Sequence, residues 1–190
     1  MGRRNIQRMA CALVIAGCAG VWPFTGLSYG GARAAGDVFG ELGITRIPAD
    51  VPVAAFDLRA LDGATLGSEH LTGKVVVLNF WATWCGPCKE EMPSLARLQS
   101  QFDPGRVRVV TVTTDVHPQG IKQFLDHLGI SLPVLFDEDQ ELSRNFMVRG
   151  LPTTVLIDQN GRALGRAVGP REWDSQASIA LVRHVLDRQP

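Results

Sequence analysis

KVVVLNFWATWCGPCKEEMP, residues 74–93, reads as a buried strand that delivers two cysteines to the start of a helix. The run Val75-Val76-Val77-Leu78 is uninterrupted and apolar, as a strand covered on both faces requires. Residues Trp81 to Trp84 turn the chain, and Cys85-Gly86-Pro87-Cys88 opens the helix. A thiol there lies at the positive end of the helix dipole, beside unpaired backbone N–H groups. Both favour the thiolate and make the sulfur a nucleophile. Two cysteines on the first helical turn can close a small disulfide ring and reopen it. The chemistry this spacing points to is dithiol–disulfide exchange.

Two structural roles compete for the pair. Half of a zinc site needs a second CxxC or a histidine pair. The only other cysteines, Cys11 and Cys18, lie in an N-terminal apolar segment, and His70, His117, His127 and His184 show no ligand spacing. An inert structural disulfide is the second, but two-residue spacing directly after a strand is the redox signature.

Phe80 to Lys89, FWATWCGPCK, closely resembles the thioredoxin active-site segment. The resemblance implies that Cys85 is the attacking cysteine and Cys88 the resolving one, with Cys85–Cys88 as the redox disulfide. Pro93 matches the proline that kinks the active-site helix in that family. Gly150-Leu151-Pro152-Thr153 is similar to the family's cis-proline loop, which faces the disulfide and keeps a substrate strand near the sulfurs. Residues 51–190 resemble the TlpA/ResA-like branch of envelope thioredoxins.

The chain's 190 residues suit one domain behind a leader. Residues 1–34 hold Arg3, Arg4, Arg8 and Arg33 and no acid, which leaves 15 basic and 19 acidic residues in the remainder, a net charge of −4. No basic patch interleaved with aromatics occurs, so a nucleic-acid partner is not expected. Arginines followed by the apolar stretch Met9–Trp22 read as an export signal. Ala32-Arg33-Ala34 offers an A-x-A cleavage site. Ile15-Ala16-Gly17-Cys18 resembles a bacterial lipobox in which Cys18 would be lipidated. An uncleaved anchor is the third reading, although about 14 apolar residues fall short of a full span. Arg3-Arg4 matches a twin-arginine signal poorly. The expected organisation is a signal peptide or membrane anchor over 1–34, a Gly-, Ala- and Pro-rich tether over 35–50, and a thioredoxin-like domain over 51–190. Export places that domain on the periplasmic side of the cell envelope, where disulfides persist. The exported body keeps only Cys85 and Cys88, so its single pair is left for chemistry.

Alternation over Val53–Leu58 and Thr65-Leu66, around the turn Leu61-Asp62-Gly63-Ala64, predicts a hairpin. Met92, Leu95, Leu98 and Phe102 predict a helix over 87–102. A β-branched strand follows over 107–113, then a helix over 118–127, a strand over 132–136 and a short helix over 142–146. Residues 153–158 and 163–168 form a hairpin across Asn160-Gly161, and 173–187 is the closing helix. Strands alternating with helices before a terminal hairpin imply an α/β fold with a mixed central sheet flanked by helices. The N-terminal β-hairpin and the helix–strand insertion over 118–136 match the TlpA/ResA type of thioredoxin-like fold. Sites in such sheets lie beyond the carboxyl ends of the strands, where Cys85 is placed.

Each site residue has a physical role. Cys85 follows the strand directly, so its sulfur is expected to be the more exposed; Cys88, one turn in, is expected to be buried. Gly86 lets the backbone turn. Pro87 fixes φ and lacks an N–H, so it offers no hydrogen bond to the Cys85 thiolate. A less stabilised thiolate means a disulfide that is harder to reduce, hence a reductant. Trp84, directly before Cys85, reads either as a packing residue or as a rim contact for a partner. Asn79 stands where thioredoxins carry a buried Asp that accepts the resolving cysteine's proton, and an amide cannot do that. Glu91 lies one turn after Cys88 on the same helix face, where TlpA/ResA-like proteins carry a glutamate. Glu91 is therefore expected to take over as base, against the alternative of a solvated helix carboxylate like Glu90.

The expected function is an envelope thiol–disulfide reductase acting on protein substrates with disulfides or CxxC thiols, recharged by a membrane electron carrier. The resemblance implies cysteines of apocytochrome c or of a copper-site assembly protein as substrates. No cofactor or metal is expected. A disulfide oxidase or isomerase is the nearest rival. Peroxiredoxins share the fold, but their Pro-x-x-x-Thr-x-x-Cys pattern does not occur around Cys85. Copper carriers of the Sco type use CxxxC, one residue longer than the spacing here.

Overall fold

The central strand is β4 (Val75–Trp81), and all seven of its residues are buried in the computed structural model, which describes residues 37–48, 52–115 and 117–188. A strand can be apolar along its whole length only if both faces of the sheet are covered. β4 pairs in parallel with β5 (Val107–Thr113) and antiparallel with β7 (Thr153–Ile157). β5 continues in parallel to β6 (Val134–Phe136), which meets the hairpin of β2 (Asp57–Ala60) and β3 (Thr65–Gly67). On the other side β7 pairs with β8 (Ala163–Val168) and β8 with β1 (Thr45–Arg46), both antiparallel. The eight-stranded mixed sheet therefore runs β1-β8-β7-β4-β5-β6-β2-β3.

Period-two alternation sorts the core into two layers. Val75, Val77 and Trp81 face a cluster with α2 (Gly86–Ser100), α3 (Pro118–Leu128) and α5 (Gln176–Asp187), where Trp81 packs on Phe124 with ring centroids 5.5 Å apart. Val76, Leu78 and Phe80 face the second cluster, with Leu142 and Phe146 at α4 (Glu141–Asn145) and partly buried Phe56 and Leu58 from the segment before β4. No helix among the described residues is long and apolar enough to cross a membrane.

The structure differs from the sequence reading at the N-terminal side. The stretch expected to be a tether over 35–50 is folded across its described part, residues 37–48. It forms α1 (Val38–Glu41) and the edge strand β1, and it buries Phe39 and Ile44. Bare backbone at Gly165 receives them: a Cβ there would lie 2.7 Å from Ile44 Cγ2 and 3.0 Å from the Phe39 ring. Arg46 lies over the same ring at 4.1 Å. Two isolated apolar residues carry no periodicity, so composition alone reads as linker. The closing helix also begins later than expected, at Gln176 rather than Trp173, because Ser175 caps it by accepting the Ser178 amide at 3.2 Å. The leader over 1–34, with Cys18, lies outside the described residues.

Candidate active site

Residues after β4 leave the sheet at its carboxyl end, and the Asp115 carboxylate accepts the Thr83 amide at 2.6 Å, anchoring the turn. Cys85 is the N-cap of α2 in extended conformation, so its side chain lies against the helix's first free amides. The Cys88 amide donates to Cys85 Sγ at 3.3 Å. That donor qualifies the sequence reading of the turn. Pro87 removes one N–H, but the resolving cysteine supplies its own. The two sulfurs are bonded, S–S 2.00 Å, with Cα atoms 5.3 Å apart. Cys85 is 6% exposed and Cys88 fully covered, so an incoming partner meets Cys85 first.

The register between β4 and β7 sets Thr153 opposite Phe80. Pro152 therefore stands beside the same end of β4 as the cysteines, and its peptide bond to Leu151 is cis. The Pro152 carbonyl accepts the Gly169 amide at 2.9 Å, which fixes the end of β8 against this loop. Trp84 is 72% exposed and Val168 is also solvent-facing. Gly86 is open, with nothing near a would-be Cβ. Trp84 thus lies in solvent rather than in the core. Pro93 lies inside α2 without breaking it.

Glu91 is 3% exposed, unlike Glu90 beside it, so the solvated-face alternative does not describe it. Three donors reach its carboxylate. Asn79 Nδ2 donates to Oε1 at 2.7 Å, while the Arg171 amide and the Trp173 indole donate to Oε2 at 3.0 and 3.2 Å. Burial pushes the Glu91 carboxyl above the usual carboxylate range; the three hydrogen bonds and the Arg171 guanidinium pull it partly back. The site thus joins a helix-terminal disulfide to a buried carboxyl one turn along. A buried carboxyl with a raised pKa has the chemistry of a proton acceptor near neutral pH. Sequence reasoning missed Arg171 and Trp173. They lie 80 and 82 residues from Glu91 along the chain, in the loop before α5, where no spacing rule connects them to it.

The chain resembles ResA thiol-disulfide oxidoreductase of Bacillus thuringiensis, 33% identical over 114 residues, which are 60% of this chain and 66% of that one. The match thus spans just under two thirds of that relative's length. Among solved structures, a thioredoxin-family thiol:disulfide interchange protein of Chlorobium tepidum is 30% identical at a TM-score of 0.62, covering 72% of this chain and 96% of that one. StoA of Bacillus subtilis is 25% identical at a TM-score of 0.58, covering 70% of this chain and 99% of that one. Residues 50–163, the hairpin, the cysteine-bearing helix and the cis-proline loop among them, match the AhpC/TSA family, and the chain belongs to that family of the thioredoxin superfamily.

Proposed function

We propose that this chain is a thiol–disulfide oxidoreductase of the cell envelope that reduces disulfides of partner proteins. The observation that carries the reading is the Cys85–Cys88 disulfide at the start of α2 with Glu91 buried one turn on. In the reduced protein the Cys85 thiolate attacks a partner disulfide. A mixed disulfide forms and one partner sulfur leaves as thiolate. Cys88 then gives its proton to Glu91 and attacks Cys85 Sγ, releasing the second partner thiol. Two electrons pass to the partner and the Cys85–Cys88 bond is left, to be reduced again by a membrane electron carrier.

In this reading cis-Pro152 and the exposed Trp84 and Val168 would make the rim on which a partner strand lies, with the open Gly86 next to Cys85. By resemblance the partners are apocytochrome c cysteines or copper-site cysteines of an oxidase assembly protein. The basic-then-apolar leader supports export, either cleaved after Ala34 or lipidated at Cys18. A Cys88→Ser variant in the native envelope tests the reading, since it should hold the partner as a mixed disulfide on Cys85. Recovery of none, with the protein reduced, would sink it. Lipid labelling that vanishes in Cys18→Ala supports the lipoprotein route; a domain found in the cytoplasm contradicts export. Tight copper binding by the reduced protein would favour delivery of metal instead.

A further inference from the structure

The two oxygens of Glu91 are not equivalent. A carboxylate oxygen offers about two acceptor directions. Oε2 uses both, for the Arg171 amide and the Trp173 indole. Among the described residues Oε1 uses one, for Asn79 Nδ2. The loop that fills Oε2 is itself held firmly. Arg171 Nε donates to the Leu42 carbonyl at 2.8 Å and Nη2 to that of Gly43 at 3.2 Å. Nη1 donates to the carbonyls of Val168, Gly169 and Pro170 at 3.2, 2.9 and 3.1 Å. The Trp173 amide donates to Ser94 Oγ at 3.1 Å, and Ser94 Oγ donates to the Glu91 carbonyl at 2.7 Å. One guanidinium thus ties the N-terminal turn to the end of β8 and the loop, and the amides of Arg171 and Trp173 with the Trp173 indole tie that loop to the helix that carries Cys88.

We propose that the loop before α5 positions Glu91, the Arg171 backbone amide and the Trp173 indole occupying Oε2 and so directing the proton leaving Cys88 to Oε1. This rests on Glu91 being the acid–base partner of Cys88. In the step, the Cys88 S–H bond breaks and an O–H bond forms at Oε1. The sulfur's electron pair makes the bond to Cys85 Sγ, and the partner sulfur departs with the pair of the broken disulfide. Arg171 is the charged group facing Glu91 from the loop, and Cys88 is the titratable group on its own helix; Asn79, Ser94, Thr154 and Trp173 around them are neutral. Losing a donor, or the guanidinium, from the carboxylate disfavours its charged form. Glu91 then becomes a base only at higher pH.

Dithiobis-nitrobenzoate separates the steps in the reduced full-length protein. Attack by Cys85 releases one chromophore and resolution by Cys88 releases the second, so the second phase gives a pH–rate profile of the Cys88/Glu91 pair. Trp173→Phe removes the indole donor and is expected to move its acidic limb up by about one pH unit, the scale of one hydrogen bond to a charged group; Arg171→Met keeps the backbone amide, loses only the guanidinium, and is expected to move it in the same direction by less. In a Glu91→Gln background neither is expected to move it further. Trp173→Phe keeps an aromatic ring without the N–H donor and decides the matter, with folding judged by thermal melting. A folded Trp173→Phe variant whose limb stays in place, or a shift of equal size in the Glu91→Gln background, overturns the proposal. A Glu91→Gln protein with the wild-type limb instead removes the acid–base reading on which it rests.

Discussion

Asn79 Nδ2 lies 2.7 Å from Glu91 Oε1 and 2.9 Å from Thr154 Oγ1, so one amide on the central strand ties the active-site helix to β7. An aspartate could not do this, because its oxygens would face a carboxylate and offer no donor. The amide and the glutamate are therefore a matched donor and acceptor. The carboxyl sits on α2, and the strand beneath supplies a hydrogen bond that favours its ionised form.

Glu91→Gln removes the charge and the base at nearly constant shape. A carboxylate near the pair disfavours a second negative charge, so the thiol pKa values of Cys85 and Cys88 should fall in the variant. Resolution of the mixed disulfide should slow by about 10²-fold, the low end for a lost general base, since water can substitute in part. Alkylation rates across pH measure the first effect. Glu90→Gln, at an exposed position of the same turn, should change neither.

Asn79→Asp would set a second carboxyl against Glu91, and two acids at that distance cannot both ionise. The Glu91 pKa is already raised by burial, so the folded protein holds that proton more tightly than the unfolded chain. Stability from such a group is full below the unfolded carboxyl range and is lost as pH rises through the folded value. Melting temperatures should therefore decline with rising pH more steeply in Asn79→Asp than in wild type, and less steeply in Glu91→Gln. Parallel curves for all three would contradict the shift.

The direction of exchange depends on how well the Cys85 thiolate is stabilised. Among the described residues only the Cys88 amide donates to its sulfur, and Gly86-Pro87 adds no positive charge. The potential should lie near that of thioredoxin, about −270 mV, rather than near the about −120 mV of a strong oxidant. Pro87→His adds a donor and a titratable charge, and should lower the Cys85 pKa and raise the potential by about 30 mV per 1.4 kcal/mol of thiolate stabilisation. Equilibration with glutathione reads both proteins. A wild-type value close to the oxidant's would make the reductase direction wrong.

Phe39 is 1% exposed against Gly165, so the segment before the hairpin contributes to the core. Phe39→Ala should destabilise the protein by about 3–5 kcal/mol, as large-to-small changes of buried aromatics do. Denaturant unfolding of the full chain measures it. No loss would mean that this segment behaves as the linker its composition suggests.

The sequence by itself determined the class of fold and the candidate reacting pair. An apolar run is legible as a doubly covered strand, and Cys-Gly-Pro-Cys after it sets two thiols on one helical turn, because both follow from local periodicity. Glu91 was also legible as a candidate, since i and i+3 share a helix face. Only the tertiary structure decided what surrounds it. Burial of its carboxylate, and the convergence of Asn79, Arg171 and Trp173 upon it, join parts of the chain up to 82 residues apart. The same holds for Phe39 and Ile44, whose partner is the missing side chain of Gly165 on a strand far along the chain. Hydrogen bonds and packing across such separations leave no period in the sequence, so they appear only when the sheet brings the segments together.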